Sequence, residues 1–194
     1  MAQVAQRRSE WLQKIGLGRR YWECDRENMA GDPLGAYLEF LRTNAKNGRG
    51  VVLIGPPGTG KTGALAVIAK AAHSAGMPWE HVRYQTQVML MQELGRRAKG
   101  ERWEGDRAYS DWDKLLLLDE FGAAYESDWW YSLLEEYLSW RYDQVLPTCV
   151  ATNLTVKALQ ETARYARVVD RWRETCDTII MAGASLRAHP AVPA

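Results

Sequence analysis

The octapeptide Gly55-Pro56-Pro57-Gly58-Thr59-Gly60-Lys61-Thr62 restricts the fold more than any other stretch of this chain. It fits the pattern G-x-x-x-x-G-K-[ST] and stands between two segments of opposite character. Before it, Gly50-Val51-Val52-Leu53-Ile54 is an apolar run cut off by a glycine and two prolines, which predicts a buried strand. After it, Lys61 to about Ala75 is alanine-rich with no breaker between Gly63 and Gly76, which predicts a helix. Strand, glycine-rich turn and helix in that order make a cradle for phosphate. The glycines let the backbone turn so that several N–H groups face one cluster of oxygens, and the helix start adds the positive end of its dipole. Lys61 then meets the β- and γ-phosphates, and the Thr62 hydroxyl is placed to ligate Mg²⁺. The expectation is a Mg-ATP site built from Gly55 to Thr62.

The rest of the chain alternates in the same way. Trp79 to Gln85 reads as a second strand, and Thr86 to Lys99 as a helix with Val88, Met91, Leu94 and Ala98 along one face. Lys114 to Asp119 is a continuous apolar run ending in a carboxylate, as a central parallel strand would be. Asp128 to Asp143 is helical. Pro147 to Thr152 is a strand, Thr155 to Thr162 and Val168 to Glu174 are helices, and Thr178 to Met181 is a last strand. Such alternation predicts an α/β domain, a five-stranded parallel sheet with helices on both faces, whose ligands bind beyond the carboxyl ends of the strands. The polar signatures fall there. Asp119 would hold Mg²⁺, usually through water, and Glu120 would orient and deprotonate an attacking water. Asn153, after the next strand, would hold that water by its amide; the alternative is a turn or cap residue.

Composition limits the remaining choices. The 194 residues suffice for one α/β domain and not for two ordinary ones. No stretch approaches the roughly 20 apolar residues that span a bilayer, and the basic N-terminus lacks the apolar core of a signal peptide, so a cytoplasmic protein without membrane contact is expected. Cys24, Cys149 and Cys176 fit neither a disulfide framework nor a zinc site. Charge is nearly balanced overall, yet basic residues gather at Arg7, Arg8, Lys14, Arg19 and Arg20, and again at Arg96, Arg97, Lys99 and Arg102. Residues 1–20 therefore read as a short basic helix or arm, 21–187 as the ATP-binding domain, and 188–194 as a disordered tail. Trp129 and Trp130 are adjacent on one helix, so one of them should face away from the core.

Taken together, GPPGTGKT, LLLLDEFG, the helix ending in WRYDQ, LPTCVATNLT, RVVDRW and AGASLR resemble the run of motifs in AAA+ proteins of the DnaC/IstB group. That group contains bacterial and phage replicative-helicase loaders and ATP-binding helpers of certain transposons. The resemblance spans about Ile15 to Arg187. It implies a three-layer P-loop fold without a C-terminal helical lid, self-association into a ring or helical oligomer, and an ATP site completed by a neighbour's arginine. Arg171 is the first candidate for that finger and Arg167, one helical turn earlier, the second; a salt-bridged surface helix is the bland alternative. Arg187 would be a sensor-type or a structural residue. The resemblance also implies DNA contact, single-stranded by preference, through Tyr84 to Arg107, where Arg96, Arg97, Lys99 and Arg102 would meet phosphates and Trp103 would stack a base. A solvated helix end is the competing reading. The resemblance leaves three functions open: loading a replicative helicase, assisting a transposase, or switching shape with ATP at little turnover.

Overall fold

Period-two sorting of apolar side chains organises the molecule. The computed structural model describes residues 10–29, 31–44, 48–101, 114–123 and 127–186. In chain order the elements are α1 (10–14), α2 (Gly35–Asn44), β1 (Gly50–Ile54), α3 (Lys61–Ser74), β2 (Val82–Thr86), α4 (Gln87–Ala98), β3 (Leu115–Phe121), α5 (Asp128–Asp143), β4 (Thr148–Thr152), α6 (Val156–Glu161), α7 (Ala166–Thr175) and β5 (Cys176–Ile180). The five strands form one parallel sheet in the order β2-β3-β4-β1-β5. Val51, Leu53, Leu115, Leu117, Cys149 and Ala151 point to one face and pack under α1, α2 and α3. Val52, Ile54, Leu116, Leu118 and Val150 point to the other, under α4, α5 and α7. Burial on both faces is why β1, β3 and β4 read as unbroken apolar runs.

Several boundaries differ from the sequence reading, each for a local reason. Thr86 and Thr155 lie just outside their helices as N-caps, accepting from Met89 N and Ala158 N. Pro78 opens a single 3₁₀ turn over Trp79–His81, so β2 begins only at Val82. β5 begins two residues early because its first residue, Cys176, pairs with Gly50. On α4 the buried face is Gln87, Leu90, Met91 and Leu94, whereas Val88 is 44% exposed and Ala98 is also exposed. Trp130 lies over Gly95, where a Cβ would come within 2.2 Å of the indole, and Trp129 is 46% exposed.

The described part of the N-terminal segment packs into the core. Within 10–20, Trp11, Leu12, Ile15 and Leu17 are buried in the core against α2 and α3, while Lys14, Arg19 and Arg20 face outward. The segment is a covering layer of the same core, and the Ile15 carbonyl accepts from Tyr84 N at 2.8 Å on the edge strand β2. Downstream, the Lys70 ammonium, itself buried, is bonded to the Trp22 and Cys24 carbonyls at 2.7 Å each and to the Asp25 carboxylate at 3.1 Å. Residues 1–9, Arg102, Trp103, Arg107, Arg187 and the tail 188–194 lie outside the described residues. After β5 the described chain runs to Leu186 without a further helix. No helix among the described residues is long and apolar enough to cross a membrane, and the three cysteines are free thiols.

Candidate nucleotide-binding site

β1 delivers the phosphate loop to the carboxyl edge of the sheet. Gly55 N bonds to Thr152 O at 3.3 Å, and a Cβ on Gly55 would stand 2.1 Å from Met181 O, so only glycine passes between its neighbours. Gly58 and Gly60 have φ of 87° and 90°, the left-handed region that glycine enters without steric cost. Thr59 is buried and its hydroxyl bonds to Pro56 O at 2.9 Å, closing the turn from within. The Lys61 ammonium lies 2.7 Å from both Gly55 O and Pro56 O. α3 then starts at Lys61, with its first N–H groups facing the loop.

β3 supplies the acidic pair, and its geometry explains why two adjacent carboxylates behave differently. Pairing with β4 is regular to Leu118↔Val150 and resumes at Phe121↔Thr152, so β3 carries one extra residue there. That bulge breaks the up-and-down alternation. Asp119 stays buried, whereas Glu120 takes φ 57° and turns out into the cleft. Neighbouring elements hold the bulge. Asp119 Oδ1 accepts from Glu120 N at 2.8 Å, and the Thr152 hydroxyl donates to Phe121 O at 2.7 Å. The Gln87 side chain, fully buried at the start of α4, accepts from Gly122 N at 2.6 Å. A non-glycine residue persists in this region only where its surroundings fix it.

These residues line one open cleft of about 210 Å³ that includes Pro57, Gly58, Gly60, Lys61, Thr62, Asp119, Glu120 and Asn153. Asn153 is exposed at its mouth; the turn carrying it is tied to Thr152, whose Oγ1 accepts from Leu154 N at 3.0 Å. The Thr62 hydroxyl donates to Asp119 Oδ2 at 2.7 Å. Two hard oxygen donors at this separation, beside a lysine and a ring of backbone N–H groups, fit Mg²⁺ with a polyphosphate.

The sequence reading missed three parts of the site. Tyr84 on β2 donates to Asp119 Oδ2 at 2.8 Å; burial, then the charge of Asp119, raises its phenol well above the usual range and keeps it a donor. Gln87 pins the bulge. Arg20, Tyr21 and Cys24 of the N-terminal segment form a wall of the cleft. The available signal was β2 itself, whose Arg83, Tyr84 and Gln85 are polar where the inner strands β1 and β3 open on apolar runs.

Arg167 and Arg171 are not in this cleft. Arg171 lines a separate pocket with Gly48, Leu146, Thr148 and Cys176, at the opposite ends of the strands. Its guanidinium bonds the Ser139 hydroxyl and lies 5.4 Å from the Tyr142 ring centre. Arg167 is 82% exposed, 3.3 Å from Glu135. In the basic cluster, Arg97 is ion-paired with Glu93 at 3.2 Å and only 17% exposed, because Glu93 also gathers Arg83 and Gln85.

The family model described as IstB-like ATP binding protein matches residues 35–192. Among solved structures the chain is similar to the DnaC helicase loader, with 20% identity, TM-score 0.69, and coverage of 85% of this chain and 100% of that one. It is similar to DnaI at 21% identity and TM-score 0.66, covering 89% and 95%. It is also similar to AMPPCP-bound DnaA from Aquifex aeolicus at 20% identity and TM-score 0.61, covering 84% of this chain and 51% of that one. A comparison with the curated proteins finds no match. The structural likenesses establish a P-loop AAA+ fold, and with the family match over most of its length the chain belongs to the IstB-like ATP-binding proteins of the DnaC/IstB group.

Proposed function

We propose that this chain hydrolyses ATP and uses it to drive an assembly step in DNA replication, in the manner of a DnaC-like helicase loader. The observation that carries hydrolysis is the β3 bulge, which separates a buried Asp119 from a Glu120 turned into the cleft beside Asn153. Lys61 and the loop N–H groups hold and neutralise the β- and γ-phosphates. Asn153 orients a water in line with the γ-phosphorus. Glu120 accepts its proton as the new P–O bond forms and the bond to ADP breaks. Thr62 and Asp119 would hold Mg²⁺, which would supply charge neutralisation on the phosphates.

The replication assignment is supported by similarity to the helicase loader and to DnaA, one example of which is a replication initiator bound to AMPPCP and single-stranded DNA. Single-stranded DNA is the proposed polymer, met through Arg96 and Lys99 at the end of α4, with a replicative helicase as protein partner in a ring or helical oligomer. A second reading, the ATP-dependent helper of a DNA transposase, is favoured by the IstB-like family match.

The test is steady-state ATPase activity with and without single-stranded DNA, alongside nucleotide binding. Glu120→Gln should bind Mg-ATP as wild type does and lose on the order of a hundredfold or more in turnover. Lys61→Ala should lose tight binding itself. Equal loss of binding in both variants, or wild-type turnover in Glu120→Gln, would overturn the division of roles.

A further inference from the structure

We infer that the Tyr84 hydroxyl positions the metal-binding carboxylate, holding Asp119 in the orientation that receives Mg²⁺ with the nucleotide. Thr62 and Asp119 are taken as the Mg²⁺ ligands, as proposed above. A carboxylate offers about four lone-pair positions. On Asp119, Oδ2 accepts from both Thr62 at 2.7 Å and Tyr84 at 2.8 Å, and Oδ1 accepts from Glu120 N at 2.8 Å. Three of the four positions are thereby filled by protein donors, which fixes the plane of the carboxylate and leaves one position on Oδ1. Removing Tyr84 would leave Oδ2 restrained by Thr62 alone, a residue that must also serve the metal.

Register explains why a tyrosine does this work. β2 pairs with β3 so that Thr86 lies opposite Asp119 and Tyr84 lies opposite Leu117. Tyr84 therefore reaches Asp119 along a diagonal of two residues, a span that suits a long side chain with its donor at the tip. Serine or threonine is too short, and phenylalanine fills the space without a donor. The backbone of Tyr84 is fixed independently, through its N–H to Ile15 O at 2.8 Å, so the aim of the ring does not depend on the hydroxyl. Hydrogen-bond partners behind a metal ligand typically contribute about 10- to 100-fold to metal affinity.

The test uses Tyr84→Phe and a fluorescent ADP derivative, so turnover plays no part. Affinity is measured in EDTA and in saturating Mg²⁺, and the ratio of the two dissociation constants reports the metal's contribution. Tyr84→Phe should leave the EDTA value unchanged and reduce the ratio about tenfold. In an Asp119→Asn background the same substitution should change the ratio little, because the group that Tyr84 orients is already altered. An undiminished ratio in Tyr84→Phe overturns the inference. So does a parallel loss in EDTA, which would mark a packing defect. A wild-type ratio of one would instead sink the metal reading of Thr62 and Asp119, and the role of Tyr84 with it.

Discussion

Val145 and Glu120 share an uncommon backbone state, with φ of 55° and 57°, and the reasons differ. Val145 comes just after the last turn of α5: its N–H bonds to Tyr142 O at 3.0 Å and Leu146 N to Arg141 O at 2.9 Å, the two bonds of a left-handed helix stop. That position suits glycine or asparagine, whereas a β-branched residue there costs roughly 1–2 kcal/mol. Val145 is 60% exposed, so little packing offsets the cost. Val145→Asn should therefore raise stability by about 1 kcal/mol, read as a higher urea midpoint at unchanged slope. A lower midpoint would show that the valine methyl groups against Gly48 outweigh the strain. At Glu120 the strain is held by Asp119, Thr152 and Gln87 and aims a carboxylate, so relaxing it would cost the site. The meeting of Lys61, Thr62, Asp119 and Glu120 in one cleft was legible from their types and spacing. Tyr84 and Gln87 were not, since their roles depend on the register of β2 against β3 and on a bulge that no single residue announces.

Among elements, the strands were the most legible and the N-terminal segment the least. β1, β3 and β4 are buried on both faces, and their apolar runs have no other soluble explanation. The segment before α2 was hidden by its charge: the basic residues draw the eye, yet Trp11 and Leu12 of α1 and Ile15 just after it turn inward. The stretch between that helix and α2 packs on the core through Leu17, Tyr21, Trp22 and Cys24, and one buried lysine ties down its backbone. Lys70 projects from α3 and gathers Trp22 O, Cys24 O and Asp25, which fixes the residues Arg20, Tyr21 and Cys24 that wall the cleft. A buried carbonyl stripped of its donor costs about 1–3 kcal/mol. Lys70→Met keeps the apolar stem and removes the donors, so stability should fall by about 2 kcal/mol. Tryptic cleavage after Arg19, Arg20 and Arg26 should accelerate under conditions where the rest of the chain stays resistant. Cleavage at wild-type rate would show that the two 3₁₀ turns over Arg19–Tyr21 and Arg26–Asn28 hold themselves in place.

At the scale of the whole molecule, the protomer assembles Lys61, Thr62, Asp119, Glu120 and Asn153 into one cleft and leaves Arg167 and Arg171 away from it. Neither arginine serves its own nucleotide site, so a role in catalysis requires a neighbour. Arg167 stands 82% exposed. Arg171 is restrained by the neutral Ser139 hydroxyl and the Tyr142 ring, and a phosphate oxygen at an interface would offer its guanidinium an ionised acceptor instead. If it acts in trans, Arg171→Ala should bind Mg-ATP normally and lose up to about a thousandfold in turnover, and wild-type specific activity should rise with protein concentration before levelling. Mixing Lys61→Ala with Arg171→Ala gives the decisive reading. Each is inactive alone, but an interface at which the Arg171→Ala protomer supplies the phosphate loop and the Lys61→Ala protomer supplies the arginine rebuilds one complete site. Activity should return in that mixture and not in either parent. Co-assembly without recovery would reject Arg171, and recovery in the parallel mixture of Lys61→Ala with Arg167→Ala would move the role one helical turn back along α7.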